Sequence, residues 1–153
     1  MKAKTIALTI SLFFASVAMG FQNSPQMGTW KLNEAKSKFA GKARNNTVVY
    51  EAAGDQIKVT VDGVDESGAA VHSEWTGKFD GKDYPVTGDA NSDVRSYRMI
   101  NKNTLALSGK KNGKVTLSGR VVVSRDGKTR TVTTTATNAQ GKKVTNTAVY
   151  DKQ

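Results

Sequence analysis

The first residue to consider for chemistry is His72, because it is the single histidine in the chain. On an extended strand, His72 and Glu74 lie on one face and Trp75 lies on the other face. One imidazole and one carboxylate are fewer ligands than a closed zinc site needs, and a histidine-based triad needs further partners. We therefore interpret His72 as a surface residue and predict no metal site and no cofactor. A pocket acid–base pair is the alternative.

The acidic residues indicate turns rather than catalysis. Most are predicted turn residues, whose short side chains can bond to their own backbone: Asp55, Asp65, Asp80, Asp83 and Asp126. The glycine-rich stretch 77–82 lies in a predicted hairpin and not before a helix, so it is not a phosphate-binding loop. The chain has no cysteine, which excludes thiolate chemistry and disulfides. We predict a protein that is not an enzyme.

Tyrosines and arginines are the side chains that could recognise a ligand. A tyrosine facing a cavity supplies both an apolar wall and a hydrogen-bond donor. An arginine facing inward would require an anionic partner, because an unpaired buried charge is costly. The candidate ligand-binding residues are Tyr50, Tyr97, Arg98, Arg120, Arg130 and Tyr150. That all three arginines face solvent is the alternative.

The elements that must position these residues are strands. Asp-Gly or Asn-Gly pairs, typical of hairpin turns, begin at Asp80, Asn112 and Asp126. Between turns the apolar residues alternate, so that Ile57 and Val59 share one strand face. The predicted strands are 29–33, 47–53, 56–62, 70–78, 82–87, 94–100, 104–110, 114–124, 128–137 and 142–151. Only residues 33–39 suggest a helical turn, with Asn33 as its cap.

The short connections predict an all-β antiparallel meander. A meander of one-sided strands can close into an up-and-down barrel of roughly eight to ten strands, which removes exposed edges. A two-sheet sandwich is the alternative. The last two predicted strands are rich in threonine and small residues, which favours a wet or partly open interior over a fully packed one.

The first twenty residues are typical of a cleavable signal peptide. Lys2 and Lys4 precede an apolar run at 6–18, which is shorter than the roughly 20 residues that span a bilayer. Small residues permit cleavage before Phe21 or before Met19. We predict a signal peptide at 1–20 and one domain at 21–153, secreted or periplasmic in a bacterium, with no transmembrane segment after cleavage. An uncleaved anchor is the alternative.

The chain is basic, with a formal net charge of +10. The basic residues are scattered and are not interleaved with stacking aromatics as in single-strand binders, so we predict no nucleic-acid partner. Lysines that protect turns and strand edges account for this pattern. Attraction to an anionic surface is the alternative.

Both ends of the predicted domain resemble one family. Gly28-Thr29-Trp30-Lys31-Leu32 resembles the opening of lipocalins and other calycins, fatty-acid-binding proteins above all, and residues 144–152 resemble their last strand. The whole chain is similar to secreted bacterial lipocalin-like proteins. The resemblance implies an up-and-down barrel around a cavity for a small apolar ligand. It also implies that Trp30 closes one barrel end against a basic residue.

The chain departs from this family at the ligand's carboxylate. Fatty-acid-binding proteins place Arg-x-Tyr on the last strand, whereas here Tyr150 matches and Ala148 replaces the arginine. The helical lid of that family is also missing from the sequence. We expect a monomeric, exported, non-catalytic protein that binds a small apolar or amphipathic molecule. The alternative is an envelope interaction module whose outer face binds an anionic surface or a protein.

Overall fold

The computed structural model describes residues 23–138 and 140–153, and these form a closed antiparallel barrel of ten strands. The predicted signal peptide at 1–20 and both predicted cleavage positions lie outside the described residues. The strands are β1 (Gly28–Leu32), β2 (Arg44–Ala53), β3 (Gln56–Val64), β4 (Ala70–Gly77), β5 (Tyr84–Thr87), β6 (Val94–Asn101), β7 (Thr104–Lys111), β8 (Lys114–Val123), β9 (Thr129–Thr137) and β10 (Lys143–Lys152). All ten overlap the strands predicted from the sequence.

Each strand pairs with its neighbours in sequence, and β1 pairs with β10 to close the sheet. At this seam Trp30 lies opposite Lys152, and Leu32 lies opposite Tyr150. The predicted up-and-down barrel is therefore confirmed, and the two-sheet sandwich is excluded. Because side chains alternate along a strand, every second residue enters the barrel.

The turns show how local chemistry sets these connections. Asn112 and Gly113 have φ values of 49° and 76°, as a type I′ hairpin turn requires. The Asp126-Gly127 pair does not adopt this turn, because only Gly127 has a positive φ, 72°. There the Gly127 N–H bonds to the Ser124 carbonyl at 2.9 Å, within a longer connection.

The predicted helical turn is present but short. Glu34–Lys36 form one turn of 3₁₀-helix, and the Asn33 side chain caps it by accepting a bond from the Lys36 N–H at 3.2 Å. The turn ends because Ser37 is extended and Lys38 forms a β-bridge with Thr147. Within residues 23–138 and 140–153, no helix has the length and apolar character needed to cross a membrane.

The two barrel ends differ. We call the end that carries the β2–β3, β4–β5, β6–β7 and β8–β9 connections the lower end, and the opposite one the upper end. Residues 23–27 precede β1 at the lower end, where the Gln26 side chain donates to the Asn103 carbonyl at 3.2 Å. Trp30 is fully buried there, and its indole N–H donates to the Gln26 carbonyl at 2.9 Å. The Lys152 ammonium lies 5.1 Å from the Trp30 ring centroid.

Candidate ligand-binding cavity

The barrel encloses a cavity of about 170 Å³. Its lining residues come from seven strands and are Asn45, Val48, Tyr50, Val61, Arg95, Tyr97, Leu107, Leu117, Arg130, Val132, Thr134 and Tyr150. Arg130 lies near the start of β9, towards the lower end, whereas Asn45 lies at the start of β2, towards the upper end. The cavity therefore runs along the barrel axis between the two ends, with apolar walls and two arginines.

Arg130 is the most buried charge of the cavity, at 3% exposure. Its strand, β9, directs alternate residues inward, and Arg130 pairs in register with Tyr150 of β10. One guanidinium N–H donates to the Tyr50 hydroxyl at 2.6 Å. The guanidinium carbon lies 4.6 Å from the Tyr50 ring centroid, 5.6 Å from that of Tyr150 and 6.0 Å from that of Trp30. Three aromatic rings thus lie around the guanidinium group.

Two further donor groups of Arg130 lack a partner. Its Nε and Nη1 atoms are buried and form no hydrogen bond. No carboxylate in the described part of the chain forms an ion pair with Arg130. Arginine stays protonated in proteins, so a positive charge lies in the barrel without an internal counter-charge.

Arg95 enters the same cavity from β6, but its charge is paired. Its Nη2 lies 2.6 Å from Oδ2 of Asp89 in the β5–β6 connection, and the two side chains are only 12% and 16% exposed. Burial opposes the charged form of Arg95, but the nearby Tyr97 and Asp89 more than offset this and raise its pKa. Its Nε atom is buried and without a partner.

Three buried tyrosines also line the cavity: Tyr50, Tyr97 and Tyr150. The Tyr50 and Tyr97 rings pack edge to face with centroids 6.3 Å apart. Burial raises the pKa of Tyr50, and it raises the pKa of Tyr150 to about 12, although Arg130 opposes both shifts. These two hydroxyls are therefore neutral hydrogen-bonding groups at physiological pH.

The structure brings together four of the six residues predicted to bind a ligand and leaves Arg98 and Arg120 outside. Both are exposed, and both lie beside Ala106 of β7 on the outer face of the barrel. The alternation of the strands explains this, because Tyr97 and Val121 occupy the neighbouring inward positions. Neither Arg98 nor Arg120 can contribute to the cavity.

His72 lies on the outer surface, as its interpretation from the sequence predicts. Its side chain is 55% exposed, with Nδ1 2.6 Å from Asp62 Oδ1 and Nε2 3.5 Å from Glu74 Oε1. The hydrogen bonds with Asp62 and then Glu74 raise the pKa of His72. Since these groups lie outside the barrel, His72 is not part of the cavity.

Arg95 is the main cavity residue that the sequence analysis missed. The signal that identifies it is the period of two along β6, because Arg95 shares a strand face with Tyr97, a predicted ligand-binding residue. Its partner Asp89 lies in a connection, where a turn-forming role is the ordinary interpretation.

Comparison with known proteins gives little beyond architecture. No protein-family model matches the chain, and no curated protein matches it. One solved structure that resembles it is a redesigned β-barrel, mFAP1, bound to DFHBI, with 13% identity and a TM-score of 0.45. The match covers 84% of this chain and 98% of that one. At this distance the likeness does not bear on the cavity, which is interpreted from its own residues.

Proposed function

We propose that this protein binds a compact organic anion inside its barrel, with Arg130 as the counter-ion. The observation that carries the proposal is that Arg130 is 3% exposed, has two buried N–H positions without partners and forms no ion pair with any described carboxylate. A buried charge in this state is costly unless something compensates it. A carboxylate is well suited, because it is a strong acceptor for charge-assisted bonds from the unpartnered Nε–H or Nη1–H groups.

The size of the cavity restricts the ligand. At about 170 Å³ it lies below the roughly 300–1,000 Å³ of most ligand pockets. It is close to the roughly 150 Å³ of an apolar cavity that holds benzene. Val48, Val61 and Leu107 supply apolar surface for the body of the ligand. A benzoate or a short-chain carboxylate fits this description better than a long-chain fatty acid.

We further propose that this protein does not catalyse a reaction. The support is the lining of the cavity, in which the described residues include no carboxylate, imidazole or amine that could act as a general base. The raised pKa values of Tyr50 and Tyr150 disfavour their use as bases near neutral pH. We also propose that the protein acts outside the cytoplasm, and this rests on the sequence of residues 1–20.

Calorimetric titration of the protein with matched anionic and neutral ligands tests the proposal. Benzoate and butyrate are compared with benzyl alcohol and butanol. We expect at least one carboxylate to bind, and its neutral counterpart to bind more weakly by about tenfold or by a larger factor. Arg130→Met should weaken carboxylate binding about a hundredfold, since a buried charge partner is lost.

The matched control is Arg120→Met, which removes the same charge from the outer face. It should leave carboxylate affinity within about threefold, because an exposed charge contributes little. Failure of every carboxylate to bind would overturn the proposal, as would equal losses from the two variants. Salt-sensitive binding of anionic polysaccharide, with no carboxylate binding in the cavity, would instead support the interaction module.

A further inference from the structure

We infer that Asp89 sets the charge of the ligand: by neutralising Arg95, it makes the cavity a site for monoanions and selects against dianions. This inference rests on the proposed anion binding at Arg130. It concerns a residue that does not line the cavity and does not need to touch the ligand. Asp89 acts by removing the second positive charge from the cavity wall.

Hydrogen bonds to both carboxylate oxygens fix Asp89 beside Arg95. Asp89 Oδ2 takes the 2.6 Å bond from Arg95, while Oδ1 accepts the N–H of Asn91 at 2.9 Å. Both side chains of the pair are more than four-fifths buried, so solvent screens their attraction far less than at the surface. The carboxylate therefore remains beside Arg95 and compensates its charge.

The two other acidic residues of segment 83–93 are engaged elsewhere. Asp93 is half-exposed, lies 3.4 Å from the Lys111 ammonium and accepts the Asn112 N–H. Asp83 pairs with Lys110 at 2.7 Å. Neither acid lines the cavity. Among the described residues, Asp89 is thus the carboxylate that pairs with a cavity arginine.

The charges of the cavity then sum to a single positive one. Arg95 and Asp89 cancel, Arg130 has no counter-charge, and burial keeps Tyr50 and Tyr150 protonated. One carboxylate on the ligand completes this arrangement. A second carboxylate would meet an arginine that is already paired, and it would be desolvated without compensation.

Replacing Asp89 should change this selectivity. Asp89→Asn keeps the shape of the side chain and the Oδ1 acceptor for Asn91, but it leaves the Arg95 charge unpaired. The probes are succinate, glutarate and isophthalate, each compared with the monoacid of the same skeleton: butyrate, pentanoate and benzoate. We expect the dianion-to-monoanion affinity ratio to rise at least tenfold for one pair, as expected for a newly available charge partner.

Two controls separate this effect from a general change in charge. Asp83→Asn removes the same charge from a more exposed pair and should leave the ratio within about threefold. The double variant Asp89→Asn with Arg95→Met should lose the gain. If Asp89→Asn does not fold, Arg95→Met alone tests the same point. It leaves Asp89 unpaired beside the cavity, and we expect monoanion affinity to fall about tenfold.

The outcomes distinguish the two proposals. If the wild-type protein binds a monoanion through Arg130 but Asp89→Asn leaves the ratio unchanged, Asp89 does not set selectivity and the anion site itself remains. A gain in dianion binding that persists in the double variant would also overturn the inference. If the wild-type protein binds no carboxylate, the proposed function fails first.

Discussion

Arg95 and Arg130 enter one cavity from opposite halves of the barrel, yet their surroundings differ. Arg95, on the upper side, has a carboxylate at 2.6 Å. Arg130, on the lower side, has a tyrosine hydroxyl, three aromatic rings and two unpartnered N–H positions. Both side chains are mostly buried, so the main difference between them is charge compensation. In the proposed function, Arg95 is therefore part of the framework of the site and Arg130 is the group that receives the ligand.

The two ends of the barrel show a related contrast. The lower end has a fully buried Trp30 that bonds to the Gln26 backbone, with Lys152 over its ring. At the upper end the cavity reaches Asn45, which is exposed. For the proposed function, this contrast assigns fold stability to the lower end and ligand entry to the upper end.

The largest expected effect tests the contrast between the ends. Trp30→Ala should lower the free energy of unfolding by about 3–5 kcal/mol, because it removes a fully buried indole and leaves a void. Asn45→Ala, at the upper end, should change it by less than about 0.5 kcal/mol. Urea denaturation of both variants provides the measurement. Similar losses from the two substitutions would contradict the division of roles between the ends.

Two smaller effects on stability, opposite in sign, test the contrast between the arginines. In ligand-free protein refolded from denaturant, Arg95→Met should destabilise by about 2 kcal/mol, since it leaves the mostly buried Asp89 carboxylate unpaired. Arg130→Met should stabilise by about 1 kcal/mol, since it removes an uncompensated buried charge. Urea denaturation curves measure both changes. If Arg130→Met destabilises as much as Arg95→Met, the charge of Arg130 is compensated within the folded protein.

The smallest expected effect concerns the ionisation of Tyr150, which would add a negative charge to the cavity. Because burial raises its pKa to about 12, Tyr150 should stay neutral at pH 11, where a free tyrosine is mostly ionised. Its contribution to stability is complete below about pH 10 and is lost as the pH rises towards 12. Ultraviolet absorbance titration of wild type and Tyr150→Phe measures this. Loss of an absorbance step near pH 10 in the variant would show that Tyr150 is not shifted.

The fold could be predicted from the sequence almost entirely, because its information is local. Each strand is bounded by turn residues, and the alternation of residues such as Ile57 and Val59 assigns one face to the interior. The short connections favoured closure into a barrel, which protects the strand edges, but they left a two-sheet sandwich as the alternative. The 3₁₀ turn was overestimated because its end depends on the bridge between Lys38 and Thr147, far apart in sequence.

The cavity was only partly predictable, because it depends on contacts between distant strands. Strand alternation alone left the direction of Arg98, Arg120 and Arg130 open, and the structure turns only Arg130 inward. That no carboxylate accompanies Arg130 follows from which strands face it across the barrel, and no local pattern records this. The pairing of Arg95 with Asp89 likewise depends on the path of the β5–β6 connection.

The pairing of β1 with β10 also has a consequence for how the chain folds. The strands that close the barrel are those furthest apart in sequence, so a large loss of chain entropy precedes the last ladder of hydrogen bonds. Until that ladder forms, β1 and β10 are free edges that another molecule can pair with. Substitutions along this seam should therefore reduce the yield of correctly folded protein more than they reduce its equilibrium stability.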